Sequence, residues 1–199
     1  MGEALFYHLT ARTLEAAAPE MLEKCLERGW RVTVRAGSPE RVAALNAHLW
    51  TWRDEAFLPH GEAGDGFAAR QPIYLTAGPE TPNAPDVLFL VDGAQAQAAE
   101  FAAFLRVATL FDGHDAAAVA QARDQWRRAR DAGCACIYWA QREDGAWVKQ
   151  AEAGPTGAGP TGAGPGGAGP GGAGPGGAGP GGAGPTGAGP TGAGPGETE

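Results

Sequence analysis

Val87-Leu88-Phe89-Leu90-Val91-Asp92 is an unbroken apolar run closed by an acid, with Pro85 two residues upstream. Strands that cover one face alternate apolar and polar residues. A run with no alternation belongs to a strand buried on both faces, as in parallel sheets flanked by helices. The rest of the chain either supplies the flanking layers or argues against them.

Working outward, apolar runs alternate with helical patterns. Leu5–Leu9 and Arg31–Arg35 read as strands, and the residues before Gly29 as a helix stopped by that glycine. Pro19 fits a first helical turn, so that helix is expected to start late or bend there. Ser38-Pro39-Glu40-Arg41 opens a second helix, with Ser38 as N-cap and Pro39 in the first turn. Val42, Leu45 and Leu49 carry it to about Trp50. A Gly-rich loop over 61–70 precedes a strand at Ile73–Thr76, and Pro79, Pro82 and Pro85 punctuate the connection to Val87. A helix over 95–104, a strand over 106–111, a helix from about Asp115 to Ala132 and a strand over 136–141 follow. Glu143-Asp144-Gly145 then turns the chain into Trp147–Lys149 as an antiparallel edge. The expectation is an α/β three-layer sandwich, a Rossmann-like mostly parallel sheet with an antiparallel C-terminal edge, spanning residues 1–152.

From Ala153 the sequence repeats Ala-Gly-Pro-Xaa-Gly almost to Glu199, with no large apolar side chain. Such a segment buries nothing to offset about 1–2 kcal/mol per residue of backbone entropy, so 153–199 is expected to be a disordered tail. Collagen is excluded because its glycines recur at every third position, whereas these alternate spacings.

The 199-residue chain carries 15 basic and 23 acidic residues, and all the basic ones precede the repeat. An acidic balance disfavours general nucleic-acid or membrane-surface binding. The N-terminus has no signal-peptide pattern, and Cys25, Cys134 and Cys136 have no disulfide or zinc-site spacing. A cytoplasmic protein with buried, reduced cysteines is expected.

Motifs for catalysis are sparse. There is no Gly-x-Gly-x-x-Gly, no Gly-x-x-x-x-Gly-Lys-Ser/Thr and no Gly-x-Ser-x-Gly. Asp92 after its strand, with Asp112 and His114 after another, allows a nucleotide- or metal-dependent enzyme as the alternative reading. Turn-capping roles account for the same residues. No cofactor, metal or catalytic residue is assigned.

Two surfaces stand out. Leu49-Trp50-Thr51-Trp52-Arg53-Asp54-Glu55-Ala56-Phe57-Leu58-Pro59-His60 has too much apolar bulk for a free loop. With no cofactor loop to cover, it reads as a landing surface, Leu49, Leu58 and Trp52 packing inward and Trp50 and Phe57 facing a partner. On the last helix Arg123, Arg127 and Arg130 share one face, with Trp126 beside them and Arg128 nearby. Arginine forks suit carboxylates, and an indole can border an apolar pocket, so an acidic peptide with an apolar anchor fits. A solvated helix face paired with Asp124 and Asp131 is the bland alternative, and direct single-strand binding is disfavoured by charge.

Phe6-Tyr7-His8-Leu9, Arg28-Gly29-Trp30-Arg31-Val32, Leu49-Trp50 through Phe57-Leu58-Pro59-His60, Val87–Gly93, and Tyr138-Trp139 through Trp147-Val148-Lys149 occur in an order that resembles the chi subunits of bacterial DNA polymerase III holoenzyme. That resemblance implies a non-catalytic clamp-loader adaptor without a nucleotide site, touching DNA only indirectly. It also implies that Arg123, Trp126, Arg127 and Arg130 receive the acidic C-terminal tail of single-stranded DNA-binding protein. Trp50 and Phe57 would bind a psi-like clamp-loader subunit.

Overall fold

The computed structural model describes residues 2–154. Eight strands form one sheet: β1 (Glu3–Leu9), β2 (Val32–Ala36), β3 (His60–Glu62), β4 (Ile73–Thr76), β5 (Val87–Val91), β6 (Arg106–Asp112), β7 (Ala135–Gln141) and β8 (Trp147–Ala153). Their spatial order is β3-β4-β2-β5-β6-β1-β7-β8, parallel except for the antiparallel β7–β8 edge. Helices α1 (Leu14–Glu27), α2 (Pro39–Thr51), α3 (Ala98–Ala103) and α4 (Ala116–Asp131) supply the outer layers.

All five residues of β5 are buried, and they divide between two cores by strand alternation. Val87, Phe89 and Val91 meet Leu22 of α1 and Leu45 of α2; Leu88 and Leu90 meet Phe101 of α3 and Trp126 of α4. The expected three-layer architecture therefore stands on the run that announced it. Burying one such aliphatic or aromatic side chain contributes about 1.5–3 kcal/mol.

Local signals set the helix starts. Ser38 accepts from Arg41 N at 3.3 Å with Pro39 in the first turn, and Asp115 accepts from Ala117 N at 2.8 Å. Helix α1 departs from expectation: it starts at Leu14, capped by Thr13, and runs through Pro19. Proline cannot donate to the carbonyl four residues back, that of Glu15. His48 Nε2 of α2 lies 2.9 Å from this oxygen and takes the place of the missing donor.

Three other boundaries differ. The loop expected over 61–70 begins within β3, a three-residue strand parallel to β4, and continues through short 3₁₀ turns. Helix α3 is shorter than its pattern, starting at Ala98 behind a Gln97–Glu100 capping box. Ala153, expected to open the repeat, is instead a buried residue of β8 paired with Cys136. Small side chains at Ala151 and Ala153 fit the inward positions there. The remainder of the expected tail, from 155 onward, lies outside the described residues.

Candidate functional site

The segment from the end of α2 to β3 divides its side chains as its composition requires. Leu49 and Leu58 are buried, and Trp52 packs half-buried against the same core. Trp50 is 57 % exposed and Phe57 71 %, with ring centroids 6.1 Å apart and planes tilted by 46°. Beneath them His60 is buried, its ring 4.7 Å from Trp50 and its Nδ1 2.6 Å from Leu58 O. That anchoring holds the return of the loop close to α2, so the two rings form one apolar patch. Arg53 stacks over Trp52 at 4.3 Å and binds Glu23 at 2.5 Å, placing charge at its rim.

Helix α4 carries the second surface. Ala122, Gln125, Trp126 and Ala129 form its buried stripe, which leaves Arg123 and Arg127 exposed and Arg130 half-buried. Trp126 itself is 6 % exposed, and its ring lies 5.2 Å from Phe6. Spacings of three and four residues place an indole beside the arginines but equally place it in the stripe with Ala122 and Ala129. Its area is worth more buried than in solvent.

Arg127 makes one exposed bond to Asp124 at 2.7 Å, a pair that water screens readily. Arg128 faces another way, donating to Gln95 Oε1 at 2.9 Å. Gln125 completes that docking by accepting from Ala96 N and donating to Ala94 O. Arg123 acts on the buried Tyr138 phenol, which burial pushes up to about 12 against the pull of that guanidinium. Tyr138 in turn is hydrogen-bonded to His8 Nδ1.

Asp92, Asp112 and His114 do come together, around a cavity of about 610 Å³ over the C-terminal ends of β1, β5 and β6. This is where α/β sheets of this class bind ligands. Here, however, Asp92 is bonded to Arg41, which also reaches Glu15, so the crevice is spanned by an ion triad. Asp92 adopts φ 49°, and only glycine fits at position 37, where a Cβ would come within 1.9 Å of Asp92 O. Asp112 Oδ1 accepts from His114 N at 2.8 Å, and His114 Nε2 lies 3.1 Å from Thr10 O. Turn and bridge roles thus account for all three, and among the described residues no group of three or more His, Cys, Asp or Glu is placed to hold a metal.

Sequence reasoning missed the clamp made by Gln141, whose Oε1 accepts from Thr10 N, Ala11 N and Arg12 N at 3.0–3.1 Å. It fixes the turn from β1 into α1. It also missed the nearly buried Arg35–Glu100 pair at 2.8 Å, which ties β2 to α3. Neither leaves a local sequence signal, because each joins residues distant in the chain.

The family model of the DNA polymerase III chi subunit, HolC, matches residues 1–136, covering both surfaces and every helix among the described residues. The chain belongs to the chi family. Among its relatives is the probable DNA polymerase III subunit chi of Rickettsia prowazekii (strain Madrid E), 30 % identical over 91 residues, 46 % of this chain. The alignment spans 55 % of that relative's length. Within the chi family frame, the patch at Trp50 and Phe57 stands in the α2 layer and the arginine face in the α4 layer, on opposite sides of the sheet. No helix among the described residues is long and apolar enough to cross a membrane.

Proposed function

We propose that this chain is a non-catalytic accessory subunit of the DNA polymerase III clamp-loader assembly. As an adaptor it binds the acidic C-terminal tail of single-stranded DNA-binding protein through Arg123, Arg127 and Arg130. A psi-like clamp-loader subunit covers Trp50 and Phe57. The observation that carries this reading is the exposed Trp50–Phe57 pair, apolar area of the kind found at the buried centre of protein interfaces. Membership of the chi family supports it.

On α4 the arginines take the tail's carboxylates, and Trp126 acts as a positioning residue that seats the helix on Phe6. Two surfaces in opposite layers let one domain hold two partners at once. Calorimetry with the purified partner subunit tests the apolar surface: Phe57→Ala is expected to weaken binding about thirtyfold or more while leaving the fold intact. Equal binding by wild type and variant overturns the assignment.

A further inference from the structure

A second cavity, about 220 Å³, opens on the α1 face of the sheet, with residues of the β7–β8 hairpin in its lining. Leu5 and Phe89 form part of its apolar floor, and Trp30 and Trp147 are among its walls. Tyr7 packs edge-on against Trp147, with ring centroids 5.0 Å apart. The opening holds one large side chain.

Three cations border it: Lys24 and Arg28 from the end of α1 and Arg106 from the start of β6. Arg28 lies 5.3 Å and Arg106 4.9 Å from the Trp30 ring centroid. Their fields reach inside. Burial pushes the Tyr7 phenol up to about 12 and the Cys25 thiol up to about 11, and both guanidinium groups pull against it at each residue. Glu3 is the carboxylate paired here, with Arg106 at 2.7 Å. In a chain of net charge −8, this concentration of positive charge at an apolar mouth selects an anionic partner with an apolar anchor.

We propose that this groove binds a short acidic peptide segment of a partner protein, its large apolar side chain in the cavity and its carboxylates on Lys24, Arg28 and Arg106. The site is distinct from the arginine face of α4, which lies on the other side of the sheet. A single-stranded nucleic acid could also stack on tryptophan. The closed apolar floor and acidic chain favour the peptide.

Indole N–H resonances of the full chain test this, with Trp30 and Trp147 assigned through Trp30→Phe and Trp147→Phe. The probe is acetyl-Glu-Asp-Glu-Phe-amide, with acetyl-Lys-Arg-Lys-Phe-amide and oligothymidylate as controls. The acidic probe is expected to shift Trp30 and Trp147 but not Trp50. Arg28→Ala, at an exposed position, is expected to weaken that binding by about threefold or more. Arg127→Ala, which disables only the α4 surface, leaves it unchanged, so the two assignments fail separately. No shift at millimolar probe, equal shifts with the basic peptide, or shifts with oligothymidylate alone would overturn the proposal.

Discussion

Trp50 at the end of α2 and Phe57 in the loop that follows point outward while Trp52 and Leu58 between and beside them pack inward, and the two exposed rings have centroids 6.1 Å apart. Phe57 is the cleaner probe, because Trp50 also packs on His60. Phe57→Ala is expected to change unfolding free energy by less than about 0.5 kcal/mol. Its cost to partner binding is expected to be about 2 kcal/mol or more. Chemical denaturation and calorimetry on the same sample separate the two.

Trp126 behaves in the opposite way. Trp126→Ala removes a buried ring packed on Phe6, so destabilisation of about 3–5 kcal/mol is expected in urea unfolding. A change below about 1 kcal/mol would mean that the indole does not belong to the core.

Acid unfolding reports on the Arg35–Glu100 pair. Burial alone would raise the Glu100 carboxyl, but hydrogen bonds from Arg35 and Gln97 N outweigh it and hold it below its ordinary value of 4.5. Its contribution to stability is therefore present above about pH 4.5 and lost as pH falls through the lower folded value. Glu100→Gln should flatten the pH dependence below 4.5 and lower stability near neutrality, as read from thermal midpoints across pH.

Pro19 and His48 form a testable compensation. His48→Ala leaves the Glu15 carbonyl without its partner, and a loss of about 1 kcal/mol is expected. The double change Pro19→Ala, His48→Ala should recover part of it, because the alanine replacing the proline has an N–H to donate to the Glu15 carbonyl. Equilibrium unfolding of the two single variants and the double variant closes the cycle.

Much of the architecture was legible because its signals are local. The apolar run at Val87–Val91, the Ser38-Pro39 cap, Asp115 and the Glu143–Gly145 turn each say what they do within a few residues. β3 was not legible, since His60-Gly61-Glu62 has no apolar alternation and becomes a strand only through its pairing with β4. Of the site, the inward Leu49 and Leu58 and outward Trp50 and Phe57 could be read from sequence. Trp126 could not, because the arginine face and the buried stripe share the same helical period. The Glu15–Arg41–Asp92 triad joins three separate elements and has no trace in any one of them.

A two-faced adaptor is tested most directly at its arginine face, where Arg123 and Arg127 are exposed. Isothermal titration of the acidic tail peptide of single-stranded DNA-binding protein should show affinity falling with salt. Arg127→Ala should cost about 1–3 kcal/mol and Phe57→Ala nothing. Unchanged affinity for Arg127→Ala, or equal loss in Phe57→Ala, would contradict the account.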